Sequence, residues 1–301
     1  MLTALQILDC RFWAPGLDDA RTLAERARHP AFGLTDATLV SSAAPGAAEP
    51  KAAAAGVAPM LRRRLTPLGR AAADVLWAIE DPTTGRNPFL APEDANRTAL
   101  VFASRWGDID EAIRQVKDVA QGAPLSPARF ATSVHNGIAA VLTIAAGFRG
   151  NVLALANGPL SLAAAFDAAV GLLTEVERVI VVSYDLKPPV DFAAPGSTHA
   201  LAFLCARAED DSNPARMREL MNRGPVLAQR TRAFKGSEAP DPRLDQPGSP
   251  SADLDILRWL MTEGSEARTT TFFARHGAVV LGKDGTLTRI NGVDLSQEAQ
   301  Q

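Results

Sequence analysis

The chain has 301 residues, 47% of them hydrophobic, with a formal net charge of -3 and two cysteines. That length is enough for a sizeable core without covalent staples. The mild acidity excludes the concentrated basic surface of a nucleic-acid binder, two cysteines make no disulfide framework or zinc spacing, and no apolar run is long enough for a membrane span.

Residues 2 to 13 alternate loosely between apolar and polar and end at the turn signal "WAPG", which predicts a strand. The opening "MLTALQILDC" has neither a basic n-region nor a cleavage site, so no signal peptide and a cytoplasmic location are expected. A short helix is predicted near Asp18 to Arg28, with Asp18 as its N-cap. Residues 36 to 58 are small and punctuated by Pro and Gly, as in a mobile loop. A helix is predicted from Pro59 through "MLRRRLTPLGRAAADVLWAIED", with Leu61, Leu65, Leu68, Ala72, Val75, Leu76 and Ile79 at helical spacing. Pro67 inside it either kinks the helix or marks its true start.

A loop leads to the strand "TALVFASRWG", and Asp108 can cap the helix "IDEAIRQVKDVAQG", which Gly122 ends. The alanine-rich stretch from about Ser133 to Gly147 predicts a buried helix. Then "GNVLALANGPLSLAAAFDAA" reads as a buried strand, a tight turn and a helix of small residues. "ERVIVVSYD" and "THALAFLCARA" are two more buried strands. Strands alternating with helices predict an α/β domain over residues 1 to 209, with a mixed, mostly parallel sheet covered by helices. Residues 210 to 252 are charged and rich in Pro, Gly and Ser, and read as a linker of low order. Residues 253 to 293 read as a small α+β segment: an amphipathic helix, then strands around an Asp284-Gly285 turn. Residues 294 to 301 are a tail.

The corner at Asn157-Gly158-Pro159 is the chemical puzzle. A turn between a strand and a helix start exposes backbone N–H groups that favour an anion or a thiolate. Enzymes place Cys or Ser there, with a base in hydrogen-bond reach. Here the corner holds none, and Ser161 lies just inside the helix, where a hydroxyl back-bonded to the chain is the plainer reading. His135 and Asn136 open an apolar helix and could serve as a base, or as a capping pair. His29, His199 and His276 are not spaced as metal ligands, so no metal site is expected. Cys10 and Cys205 sit in strand-like runs, as buried free thiols do. Arg62, Arg63 and Arg64, with Arg70, are either a solvated helix end or a landing patch for an acidic partner.

Several of these stretches occur together in one known order. "WAPG", "RRRLTPLGR", "LVFASRWGD", "LSPARFATSVHNGIA" and "LALANGPLS" resemble the β-ketoacyl synthase-like family of aryl polyene gene clusters. Residues 126 to 185 resemble, more broadly, the N-terminal half of the thiolase-like condensing enzymes, the β-ketoacyl-acyl-carrier-protein synthases. The resemblance covers about residues 1 to 209 and implies a thiolase-like half-fold. Counted without gaps from Arg149-Gly150, it places the catalytic cysteine of active synthases at Pro159. The catalytic histidines of active synthases have no matching segment after residue 210, because "FFARHGAVV" around His276 departs from the family pattern. Without the thiolate, unaided Claisen condensation is excluded.

The resemblance therefore implies a non-catalytic subunit of the chain-length-factor type, with no cofactor. It would pair with an active ketosynthase, help wall the acyl tunnel through residues 136–147 and 160–172, and meet the acidic acyl carrier protein through Arg62, Arg63 and Arg64. His135 and Asn136 would be partner- or substrate-facing. The competing expectation is an acyltransferase or thioesterase that uses Ser161 or a cysteine.

Overall fold

The computed structural model describes residues 3–13, 21–22, 52–158, 160–189, 196, 198–207, 226–233, 269–274 and 277–283. Its frame is one nine-stranded sheet. The strands are β1 (Thr3–Trp13), β2 (Arg21–Thr22), β3 (Thr98–Ala103), β4 (Val152–Leu155), β5 (Arg178–Asp185), β6 (His199–Arg207), β7 (Val226–Ala233), β8 (Thr269–Ala274) and β9 (Gly277–Lys283). Their order is β4-β3-β5-β6-β1-β7-β9-β8, with β2 laid on β1. Strand β3 is parallel to both β4 and β5, and every other pairing is antiparallel. The sheet is thus mixed, but its parallel share is smaller than the sequence pattern predicts. Apolar runs buried on both faces, such as "ALAFLCA" in β6, also suit the middle of an antiparallel ladder.

The helices are α1 (Pro59–Arg62), α2 (Pro67–Ala78), α3 (Ile109–Ala120), α4 (Pro127–Ser133), α5 (Gly137–Ala146) and α6 (Ser161–Leu172). Pro67 proves to be a start. Thr66 caps α2 by accepting from the Gly69 N–H at 3.3 Å, and Pro67 fills the first turn, where its missing N–H costs nothing. Leu68, Ala71, Ala72, Val75 and Leu76 then form one buried stripe. This stripe packs with Leu142 of α5 on the sheet face built by Phe102, Ile180, Val182 and Leu204. On the opposite face α6 sets Ala163, Ala165, Phe166 and Ala169 against Val101, Val181 and Phe203. Small residues let the helix lie close, and Phe166 meets Phe203 edge-on with ring centroids 5.2 Å apart.

Several expectations shift. Arg21–Thr22, inside the predicted helix 18–28, pairs with β1 as a short strand; the rest of that segment, Asp18 included, and most of the predicted loop 36–58 lie outside the described residues. Helix α5 begins at Gly137 rather than near Ser133, and Pro127–Ser133 form a separate helix capped by Ser126. The linker reading does not hold for Val226–Ala233, which pairs with β1 and β9 in the same sheet. The C-terminal strands β8 and β9 pair antiparallel, with Ala274 opposite Gly277. The turn predicted at Asp284-Gly285, the helix predicted before the strands and the tail lie outside the described residues.

Candidate functional site

Strand β4 leads into the elbow at the open edge of the sheet. β3 holds it: the Leu100 N–H donates to the Asn151 carbonyl at 2.9 Å, and the Ser104 N–H to the Leu155 carbonyl at 3.3 Å. The corner turns through Gly158, whose φ of 53° is a left-handed value that suits glycine. Pro159 lies outside the described residues. Asn157 and Gly158 are exposed, and Leu160 is buried.

Ser161 is 1% exposed and committed to the backbone. Its hydroxyl accepts from the Asn157 N–H at 2.9 Å and donates to the Gly158 carbonyl at 2.8 Å. Both of these bonds tie the turn together, so Ser161 is a clasp of the elbow rather than an activated nucleophile. Neither sulfur is better placed. Burial pushes the thiol of fully buried Cys205 up. Cys10, expected to be buried, is only half-buried at its surface, yet desolvation first, and then the charge of Asp9, raise its thiol well above the ordinary range. Protonated thiols are poor nucleophiles.

His135 and Asn136 are exposed in the turn before α5. The His135 ring lies against Gly107, where an added Cβ would sit 3.5 Å from its Cε1. The His135 carbonyl accepts from the Tyr184 hydroxyl at 3.3 Å. Asn136 makes no side-chain cap to α5. His199 is fully buried opposite Asp185, and His29 and His276 lie outside the described residues. The arginine run sits where α1 breaks into α2: Arg62 is half-buried, Arg63 and Arg64 are exposed. It belongs to the α2 face of the sheet, whereas the elbow helix covers the other. Among the described residues no group of three or more His, Cys, Asp or Glu could hold a metal ion.

Three features escaped the sequence reading. The first is Asp185, 2% exposed at the end of β5. It accepts from the Ser104 hydroxyl at 2.8 Å and from the N–H groups of Arg105 and Trp106 at 3.1 and 3.0 Å. The Ser104 oxygen in turn accepts from the Gly107 N–H at 2.7 Å. This carboxylate organises the loop beside the elbow. A lone acid closing a continuous apolar run was the available signal. Burial, with Asp185 and Asp108 nearby, raises Tyr184 above the ordinary phenol range.

The second is Glu111 on α3, whose side chain is 9% exposed. Arg129 on α4 grips it with Nε at 2.7 Å and Nη2 at 3.3 Å, while Arg114 and Gln115 donate at 2.8 and 3.1 Å. The third is β4 itself. Its four apolar residues carry no internal charge, proline or bulge, yet Leu153 is 38% exposed and Ala154 is exposed too. The predicted buried strand is open in this chain. By contrast α6, expected to wall a tunnel, spends its apolar face on its own core.

Together these features define an α/β sheet of thiolase-like architecture, with a strand-turn-helix elbow following β4, the last strand on that side of the sheet among the described residues. The model of the β-ketoacyl synthase N-terminal domain matches residues 40–272. The chain belongs to the β-ketoacyl synthase family. The match runs past residue 209, in keeping with β7 joining the sheet.

Solved structures share the fold. A chain of the complex between the ketosynthase ApeO and its chain length factor ApeC, from Xenorhabdus doucetiae, superposes with a TM-score of 0.62 at 19% identity, over 93% of this chain and 99% of that one. The ishigamide ketosynthase/chain length factor gives 0.51 at 16% identity, over 77% of this chain and 67% of that one. The AntDE:AntF complex, a type II polyketide acyl carrier protein with its ketosynthase, gives 0.50 at 11% identity, over 78% and 70%. No curated protein matches the chain.

Proposed function

We propose that this chain is a non-catalytic ketosynthase-like subunit that pairs with an active ketosynthase during elongation of an aryl polyene or similar acyl chain. One observation carries the reading: the family's elbow sits here on an apolar edge strand left open, with its only described hydroxyl consumed in holding the turn. Condensation requires a thiolate to carry the acyl chain. Pro159 stands at the position where the sequence register puts that cysteine, and proline offers no nucleophile. An open edge with four apolar residues is a template for another chain.

The Xenorhabdus complex, of nearly the same chain length, joins a ketosynthase to a chain length factor and supplies the kind of partner. Acyl carrier protein is the second partner, as in the AntDE:AntF complex. Arg63 and Arg64, exposed beside half-buried Arg62, offer it a cationic landing surface. A cytoplasmic location is part of this reading. No helix among the described residues is long and apolar enough to cross a membrane. The competing acyltransferase reading gains nothing from the geometry of Ser161, Cys10 or Cys205.

The test is co-expression with an active aryl polyene-type ketosynthase from the same genome. A one-to-one complex whose chain elongation depends on this subunit supports the reading. A monomer that leaves the synthase equally productive without it contradicts the reading.

A further inference from the structure

Residues 53–74 form a ring closed by one carboxylate. Asp74 of α2 accepts from the Ala53 and Ala54 N–H groups at 2.9 and 2.8 Å. The chain between is drawn tight. Ala54 takes a φ of 48°, the one positive value among the described non-glycine residues and a strained one for an L side chain. At Gly56 an added Cβ would sit 2.2 Å from Trp77 Cδ1, so the backbone lies directly on the indole of α2. The Val57 N–H donates to the Ala54 carbonyl at 3.0 Å, and α1 then starts with the Arg62 N–H on the Ala58 carbonyl at 2.9 Å. Val57 and Leu65 are buried, and Thr66 caps α2, which runs back to Asp74. Burial raises half-buried Asp74 above the ordinary carboxylate range and outweighs the two N–H bonds. Ionising it inside the fold therefore costs free energy, and what the charge secures is the closure of the ring.

We infer that Asp74 is a positioning residue for the carrier-protein surface: by closing the ring it holds Met60, Arg63 and Arg64 as one preformed face. This rests on the landing surface proposed above, and says what holds it in place and which apolar residue belongs to it. Spacings of three and four residues put Met60, Arg63 and Arg64 on one side of the α1 turn. Met60 is 79% exposed and both arginines are exposed, while Leu65 is turned inward. Arg86, Arg97, Arg114, Arg129 and Arg178 are each paired with an acid, but among the described residues no acid pairs with Arg63 or Arg64. The occupant follows from charge complementarity. Two guanidiniums beside a thioether match an acidic carrier protein that presents an apolar side chain among its carboxylates. A backbone fixed before the encounter loses less entropy on binding, which is what the ring supplies. Asp74 touches nothing of the partner and acts through Ala53 and Ala54.

The experiment measures binding of the full-length chain to the acyl carrier protein from the same genome by titration calorimetry, at low and at high salt. Binding to the active ketosynthase and amide hydrogen exchange are measured in parallel. Asp74→Ala should weaken carrier-protein binding by ~10-fold and leave ketosynthase pairing unchanged. It should also speed exchange across residues 53–64 while β3 and β5 exchange as in wild type. Asp74→Asn, which keeps one oxygen to accept, should fall between that variant and wild type, and takes its place should Asp74→Ala fail to fold. Arg63→Ala with Arg64→Ala removes the contact itself; it should weaken binding at least as much and flatten its salt dependence. Met60→Ala should weaken binding with the salt dependence kept. If Asp74→Ala binds the carrier protein like wild type while the arginine variant does not, the Asp74 inference falls and the landing surface stands. If the arginine variant binds like wild type, the landing surface fails and this inference goes with it. Equal loss of both partners in Asp74→Ala would mark a general structural defect and overturn the inference.

Discussion

Strands β5 and β4 flank β3, both run parallel to it, and both carry a continuous apolar run of four residues, "VIVV" and "VLAL". One is sealed and the other is open. From Val179 to Asp185 every residue of β5 is buried, with α2 on one face and α6 on the other. In β4 the two central residues are exposed. The same strand alphabet therefore gives opposite surroundings within one sheet. Apolar composition shows that a strand must be covered; it does not say whether its own chain does the covering.

Four predictions would break or sharpen that contrast. The largest effect belongs to the sealed side. Phe203→Ala opens a void against Phe166 and should cost about 3–5 kcal/mol, whereas Leu153→Ala on the open side should stay within about 0.5 kcal/mol in the isolated chain. Urea denaturation of both reads the comparison directly, and equal losses would abolish it. Next comes Asp185→Ala, which strands the Ser104 hydroxyl and two N–H donors beside the elbow and should cost about 3 kcal/mol by the same measurement. Asp185→Asn, which keeps an acceptor, should recover part of the loss.

A smaller effect depends on pH. Burial works to raise Asp81, but hydrogen bonds from Thr83 and from Arg178, the first residue of β5, outweigh it and hold the carboxyl below its ordinary range. A depressed folded-state pKa stabilises the fold above the unfolded-state value and is lost as pH falls through the folded one. Asp81→Asn should therefore be less stable than wild type at neutral pH, with the gap closing on acidification below the usual carboxylate range. β4 holds no titrating side chain, so Leu153→Ala should show no such closure. Denaturation curves across that range check both. The smallest effect is Ser161→Ala, which loosens the elbow clasp and should cost about 1 kcal/mol.

The elements with strong local signals were legible in the sequence. Asp108 accepts from the Glu111 N–H as the N-cap of α3, and Gly122 follows that helix with φ of 68°. The "VIVV" run of β5 and the apolar stripe of α2 also announce themselves. The family was legible through several short motifs in one order. What stayed hidden depends on residues far apart in the chain. Nothing local says that Glu111 is buried, because its partner Arg129 arrives from another helix. Nothing in "VLAL" says that β4 is an edge, because that depends on which strand lies next to it. Val226–Ala233 read as linker because charges and prolines on either side masked a strand that gains its order by pairing with β1.

Native mass spectrometry of this chain with its active ketosynthase, after incubation with an acyl-thioester, tests the central claim most directly. The expected result is a one-to-one complex in which the acyl adduct resides wholly on the partner. An adduct on this chain, removed by Ser161→Ala, Cys10→Ala or Cys205→Ala, would contradict the non-catalytic reading.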